Sequence, residues 1–205
     1  VAFWLKQQNP ALRIVFIGTP WSDLSRFDLV VTTPQYRLPQ AENVLHNLLP
    51  VHDVTPQRIA IDAARWNIKL GLLPRPFTAV LVGGASGPYL FTPDSARRLG
   101  REASAIARAE GGSLLITTSA RTGEEATEAL LAAIDVPRFI YRWDLDTTDN
   151  PFHAFLGLAT RIIVTADSIS MMSEASSTGK PVLLFDIEEG QFAMRADAEA
   201  RNIGW

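Results

Sequence analysis

From Thr78 onward the chain alternates short, unbroken apolar runs with helical segments, and this constrains the fold more than anything else in the sequence. Ala79–Val82, Ser113–Thr117, Arg138–Tyr141, Arg161–Thr165 and Val182–Phe185 read as strands. None shows the in–out alternation of a half-exposed sheet, and continuous runs of this kind mark parallel strands covered on both faces. Between them, Thr92 or Asp94 can cap a helix whose Ala96, Leu99, Ala103, Ile106 and Ala107 form one apolar stripe, stopped by Gly111-Gly112. Gly123–Ile134 is predicted as a second helix with Ala126, Leu130, Ala133 and Ile134 inward. Asn150-Pro151 opens a third, with Asn as cap and Pro at the first helical position. Ser170–Thr178 is a short fourth, closed by Gly179 and Pro181. This order predicts an α/β fold, a doubly wound parallel sheet of Rossmann-like type.

Upstream the signal is sparser. Arg13–Gly18 and Asp28–Thr32 also read as buried parallel strands. Thr33–Pro56 carries four prolines and reads as a connector with one short strand at Asn43–Leu49. Gln57–Leu70 has helical spacing through Ile59, Ala63, Trp66 and Leu70. The expected organisation is therefore a partial N-terminal α/β segment over 1–55, a linker helix over 56–77 and a C-terminal domain over 78–205. The chain opens on Val1 and stops at Trp205 just after an unfinished segment, so a fragment is expected, incomplete at its C-terminus.

Composition excludes several functions. There is no cysteine, so disulfides, thiolate catalysis and Cys-type metal centres are out. A net charge of −3 argues against broad phosphate neutralisation on a nucleic acid. No stretch approaches the roughly 20 apolar residues of a membrane-spanning helix. A cytoplasmic location, with peripheral membrane contact allowed, is the expectation.

In a parallel open sheet a ligand lies beyond the carboxyl ends of the strands, so the strand-to-helix loops carry the chemistry. Gly83-Gly84-Ala85-Ser86-Gly87 follows a strand directly; its amides can approach an anion without a Cβ in the way, or the glycines serve a tight turn with positive φ. Thr117–Glu125 (TTSARTGEE) puts four hydroxyls and Arg121 before a helix. Thr122 can cap that helix, with Glu124 and Glu125 in its first turn, but a cation at a helix N-terminus is unfavourable unless an anion is present. Thr165–Val182 runs from a strand through a Ser-rich loop into a short helix. Ser168 or Ser170 can cap it, leaving amides open toward the cleft, and Glu174 lies one turn beyond Ser170 on the same face. A diphosphate at the helix mouth and ribose hydroxyls donating to Glu174 match that layout; the alternative is a buried helix with Glu174 bonded to backbone. A carboxylate among Ala, Met and Ser needs a specific partner in either case.

The string Asp167-Ser168-x-Ser170-Met171-x-Ser173-Glu174-Ala175 with Gly179-Lys180-Pro181-Val182, together with Thr118-Ser119-x-Arg121-Thr122 and Asn150-Pro151-Phe152, resembles the mitochondrial-fission (elongated mitochondria) family. Bacterial members of that family are commonly treated as glycosyltransferases, and the Ser-rich loop, Glu and Gly-x-Pro-Val are similar to the nucleotide-sugar site in the C-terminal domain of GT-B enzymes. The resemblance implies donor binding at Gly83, Gly84, Ser86, Ser119, Arg121, Asp167, Ser168, Ser170, Met171, Met172, Ser173 and Glu174. Glu174 would hold ribose, Ser170 with the Met171 and Met172 amides the diphosphate, and Arg121 with Ser119 the phosphates or base. The implied partner is a nucleotide-sugar, with a lipid-linked or saccharide acceptor, no cofactor and no metal. Phe152 stands where the family usually has Tyr, and Ala120 where a second Arg is common. A GT-B enzyme takes its acceptor site and catalytic base from an N-terminal domain for which Val1–Val54 is too short, so no catalytic base is assigned.

His46, His52 and His153 show no metal spacing and read as structural or solvated, with His52 the one to test as a base. Trp143–Asp149 lacks the Gly and terminal Glu of a calcium loop and reads as a solvated turn. Arg195 and Arg201 read as part of an exposed charged helix. The competing functions are glycosyl transfer, a non-catalytic adaptor in organelle division, as plant family members act, and nucleotide-sugar epimerisation.

Overall fold

The computed structural model describes residues 1–190 except 88, 144 and 146–148. The charged helix expected around Arg195 and Arg201 falls outside these residues, as do four positions within 143–149. The chain divides into two compact units, Val1–His52 and a second from Asp53 onward.

The first unit contains helix α1 (Ala2–Gln8) and strands β1 (Val15–Ile17), β2 (Leu29–Thr32) and β3 (Val44–His46). The strands are parallel and lie in the order β1-β2-β3. One face of this sheet packs into a small core: Val30 and Val44 with Phe16, Phe27 and Phe3. Phe3 and Phe16 meet Phe27 edge-on at 5.3 and 5.5 Å. The other face differs from expectation. The β1 run was expected to be buried, yet Val15 and Ile17 are 55% and 65% exposed because they point away from that core on an edge strand.

Asp28 closes the loop before β2 by accepting from the Ile14 amide at 2.7 Å and from Arg13 at 2.9 Å, and it also pairs with Lys6. Lys6, the Ile14 amide and Arg13 hold its carboxyl far below the usual carboxylate range. A depressed folded pKa contributes stability above the unfolded value and loses it as pH falls. Asp28→Asn is therefore expected to lower the melting temperature of this unit at neutral pH. The gap from wild type should shrink as thermal melts are moved below about pH 4.

The second unit contains α2 (Pro56–Lys69), β4 (Phe77–Leu81), β5 (Tyr89–Leu90), α3 (Pro93–Ala109), β6 (Ser113–Thr117), α4 (Glu124–Ala132), β7 (Arg138–Tyr141), α5 (Phe152–Leu158), β8 (Arg161–Thr165), α6 (Ile169–Ser176), β9 (Val182–Phe185) and β10 (Glu188–Glu189). Five strands form one parallel sheet in the order β7-β6-β4-β8-β9, the doubly wound arrangement expected. Strands β4, β6 and β8 are buried almost throughout, which is why their sequences do not alternate. A short antiparallel ribbon, β5 with β10, joins segments distant in sequence.

Helices cover both faces. On one, α3 presents Ala96, Leu99, Ala103 and Ala107 and α4 presents Ala126, Ala129 and Leu130 to the sheet. Thr92 caps α3 by accepting from the Ser95 amide at 3.2 Å. On the other face Trp66 of α2 and Phe155 of α5 pack with Phe139 in an edge-on aromatic cluster over Phe77, Leu81 and Ile162. The segment expected as a linker helix thus packs inside the second unit. Gly157 allows the close approach, since a Cβ there would lie 2.8 Å from both Ala63 Cβ and Ile59 Cγ2. Phe155 is fully buried, and Phe155→Ala is expected to cost about 3–5 kcal/mol of unfolding free energy by denaturant titration.

Candidate functional site

The chain order of the sheet runs outward from β4 through β6 to β7, then returns to the opposite side for β8 and β9. The strand order reverses between β4 and β8, which places a crevice beyond their carboxyl ends. The loops expected to bear the site, after β4, β6 and β8, meet there.

These loops are stitched together by their own polar groups. The Gly83 amide donates to Thr165 Oγ1 at 2.8 Å, and the Gly84 amide to Asp167 Oδ2 at 3.0 Å. Ser119 Oγ donates to Gly83 O at 2.6 Å and Thr122 Oγ1 to the same oxygen at 2.5 Å. Two expectations change here. The glycine amides, read as free to approach an anion, are spent on Thr165 and Asp167. The glycines are required by protein packing instead: a Cβ on Gly83 would lie 2.2 Å from Asp167 Oδ2, and one on Gly84 2.0 Å from Arg121 O. Thr122 does not cap α4, because its hydroxyl accepts from the Ser119 amide and donates to Gly83; Gly123 occupies the cap position with φ 77°.

Arg121 finds its anion inside the protein. Its guanidinium lies 3.1 Å from Asp167 Oδ2, with Asp167 fully buried and Arg121 45% exposed. One edge of the guanidinium is neutralised, while the rest of the side chain is open to solvent. Asp167 Oδ1 is buried without a hydrogen-bond partner among the described residues. Ser86 bridges to Tyr89 through its backbone, 3.1 Å in each direction.

At the start of α6, Ser168 is the cap: its Oγ accepts from the Met171 amide at 3.4 Å and its carbonyl from the Met172 amide at 3.0 Å. The amides of Ile169 and Ser170, rather than those of Met171 and Met172, are left without a protein acceptor among the described residues. The side chains of Met171 and Met172 pack against the core beside Ala175, and Ser173 is buried.

Glu174 lies half-buried one turn along α6, on the wall of a cavity of about 700 Å³. Among the described residues its carboxylate has no hydrogen-bond or ion-pair partner. Burial pushes its pKa up, and the Asp53 carboxylate adds to the rise. The rest of the wall comes from the N-terminal ends of α2 and α5, which lie on the same carboxyl edge because both helices run antiparallel to the strands. Asp53 pairs with Arg58. Arg65 bridges Asp62 at 3.1 Å and Asp149 at 2.7 Å. Asn150 Oδ1 accepts from the Phe152 amide at 3.0 Å, but Pro151 rather than Asn150 holds the cap position, so α5 starts one residue later than expected.

His153 also faces this cavity, between Asp62 and Asp53, where the sequence reads it as structural or solvated. Its partners come from α2 and the residues just before it, a juxtaposition that no local spacing reveals. Among the described residues His46, by contrast, meets Pro39 O at 3.4 Å, and His52 has a buried Nδ1 with no partner. Lys180, in the Gly-Lys-Pro-Val string, donates to Leu156 O and Gly157 O, both at 2.6 Å, and so closes the C-terminal end of α5; burial lowers its pKa.

A family model described as Mitochondrial fission ELM1 matches residues 1–198. The mitochondrial fission protein ELM1 of Arabidopsis thaliana is 27% identical over 191 residues, covering 82% of this chain and 44% of that protein. An uncharacterized protein of Rickettsia prowazekii is 35% identical over 112 residues, covering 54% of this chain and 32% of its own length. The chain thus spans less than half the length of the curated relatives it matches. Among solved structures, a family 9 glycosyl transferase from Veillonella parvula superposes with a TM-score of 0.51 at 10% identity, over 91% of this chain and 62% of that one. At that identity the likeness is one of fold, and the fold resembles GT-B.

Proposed function

The chain belongs to the mitochondrial fission ELM1 family, and from that premise we propose that its second unit binds a nucleoside-diphosphate sugar along the carboxyl edge of the five-stranded sheet, as the donor-binding half of a GT-B-type glycosyltransferase. One observation carries the reading: a half-buried carboxylate, Glu174, without a partner among the described residues, lines a large cavity one turn behind the Ile169 and Ser170 amides of α6, which lack an acceptor among those residues. The two features suit the two ends of one ligand. The diphosphate takes the amides and the positive end of the helix dipole, and a ribose hydroxyl donates to Glu174.

In such a reaction an acceptor hydroxyl attacks the anomeric carbon. The bond from that carbon to the diphosphate oxygen breaks, and the electron pair leaves with the diphosphate. What these residues contribute is electrostatic: helix amides, with the exposed part of the Arg121 guanidinium, stabilise the negative charge that builds on the leaving group. No residue here is assigned as the base that takes the acceptor's proton.

The name of the family favours a second reading, a non-catalytic role in organelle division that keeps the nucleotide site. Incubating the full-length protein with labelled uridine-, guanosine- and adenosine-diphosphate sugars, with and without lipid-linked and saccharide acceptors, separates the readings. Label appearing on an acceptor supports transfer. Binding with no product supports the adaptor, and an altered sugar on the donor alone indicates an epimerase.

A further inference from the structure

Glu174 shares its corner of the cavity with two other groups that accept hydrogen bonds. His153, in the first turn of α5, places Nδ1 3.5 Å from Asp62 Oδ2 and Nε2 4.0 Å from Asp53 Oδ1, with its side chain only 13% exposed. A neutral imidazole carries one N–H. The nearer carboxylate, Asp62, draws that proton to Nδ1, so Nε2 presents a lone pair. Burial, then the Arg58 guanidinium, hold the imidazole below its ordinary pKa against the opposing pull of Asp53 and Asp62, so the neutral form dominates at neutral pH. Nε2, Asp53 Oδ1 and the Glu174 carboxylate thus form a cluster of acceptors, linked through Asp53, which acts electrostatically on both His153 and Glu174. A ligand that brings several donors suits such a cluster, taking the place of the water that reaches it, since the Asp53 side chain is 70% exposed.

We propose that this corner reads the ribose itself: His153 Nε2 accepts the 2′-hydroxyl of the bound nucleotide beside Glu174, making the site selective for ribonucleotides over 2′-deoxyribonucleotides. The inference rests on the donor-binding reading above and adds a specificity-determining residue to it. Asp62 is a positioning residue, fixing the tautomer that leaves Nε2 able to accept. Protonation of His153 turns Nε2 into a donor that satisfies Asp53 and removes the acceptor. Selectivity therefore fades as pH falls through the imidazole pKa. The charged groups facing the ring are Asp53, Arg58 and Asp62 from the α2 side and Glu174 from α6; Asp149, ahead of α5, is turned to Arg65 and Lys69.

The test is calorimetric titration of the full-length protein with uridine and guanosine diphosphates and with their 2′-deoxy counterparts. Wild type is expected to bind the ribo form about tenfold more tightly near pH 8, with the ratio closing toward one near pH 5.5. His153→Ala should bind the deoxy form as wild type does but lose the ribo preference at both pH values. His153→Gln, whose amide oxygen can accept, should recover part of it. Wild type that binds both forms equally, or a His153→Ala variant that keeps the preference, overturns the inference and leaves donor binding intact. Failure of wild type to bind either form of either diphosphate overturns the donor reading, and this inference with it.

Discussion

Glu174→Ala is expected to weaken nucleoside-diphosphate binding by about a hundredfold without destabilising the protein. A charge-assisted hydrogen bond from the ribose 3′-hydroxyl to a half-buried carboxylate is worth up to about 3 kcal/mol, and every 1.4 kcal/mol is about a factor of ten. Stability should move the other way. A carboxyl whose folded pKa is raised is held in a place that disfavours its ionised form, so at neutral pH the charge works against folding. Removing it, as Gln or Ala, should leave the melting temperature unchanged or raise it, and the difference should vanish below about pH 4, where the unfolded chain also carries the neutral acid. Calorimetry for binding and thermal melts for stability test both halves. Loss of binding with a large loss of stability would instead make Glu174 a structural residue.

Gly84→Ala is expected to have the largest effect on the fold of the crevice. The residue sits at φ 156°, and a Cβ would lie 2.0 Å from the backbone oxygen of Arg121 and 2.6 Å from the Thr122 amide. Neither contact can be relieved by rotating a side chain. The β6–α4 loop would have to withdraw, breaking the bonds of Ser119 and Thr122 to Gly83 O and parting Arg121 from the buried Asp167. A buried carboxylate left without its cation is strongly destabilising. A loss of about 4 kcal/mol or more is expected in urea unfolding, with nucleotide binding lost alongside it. A variant that melts within a few degrees of wild type would contradict the packing described here.

Much of this was legible before any coordinates. Strands β6, β7, β8 and β9 stand at the bounds the apolar runs indicate. In β6 and β8 the uninterrupted run reflects burial on both faces, whereas the edge strands β7 and β9 carry similar runs with exposed residues, Leu183 and Leu184 of β9 among them. The β1 run was misread as buried for the same reason turned round: an apolar run does not say whether its second face is covered, and Val15 and Ile17 are not. Helix α1 escaped notice because it is seven residues long, buries no residue and has no side-chain cap. The β5–β10 ribbon pairs residues about a hundred positions apart, beyond any local pattern.

The candidate site divides along the same line. Glu174 stood out because an acid among Ala, Met and Ser has no local partner, and the structure places it on a cavity wall. The glycines after β4 were recognised as a place of close backbone approach, but what approaches is the Arg121 loop and Asp167. Arg121 signalled a missing anion, and Asp167 supplies one. His153 gave no signal, since Asp53 and Asp62 reach it only through the packing of α2 on α5 that Gly157 permits.

The account turns on a ligand lying across the start of α6 with its sugar behind it. A crystal structure of the full-length protein with a bound nucleoside diphosphate tests this most directly. The account predicts phosphate oxygens within hydrogen-bond distance of the Ile169 and Ser170 amides, and a ribose hydroxyl on Glu174. A diphosphate bound elsewhere, or one at α6 whose ribose points away from Glu174, would contradict it.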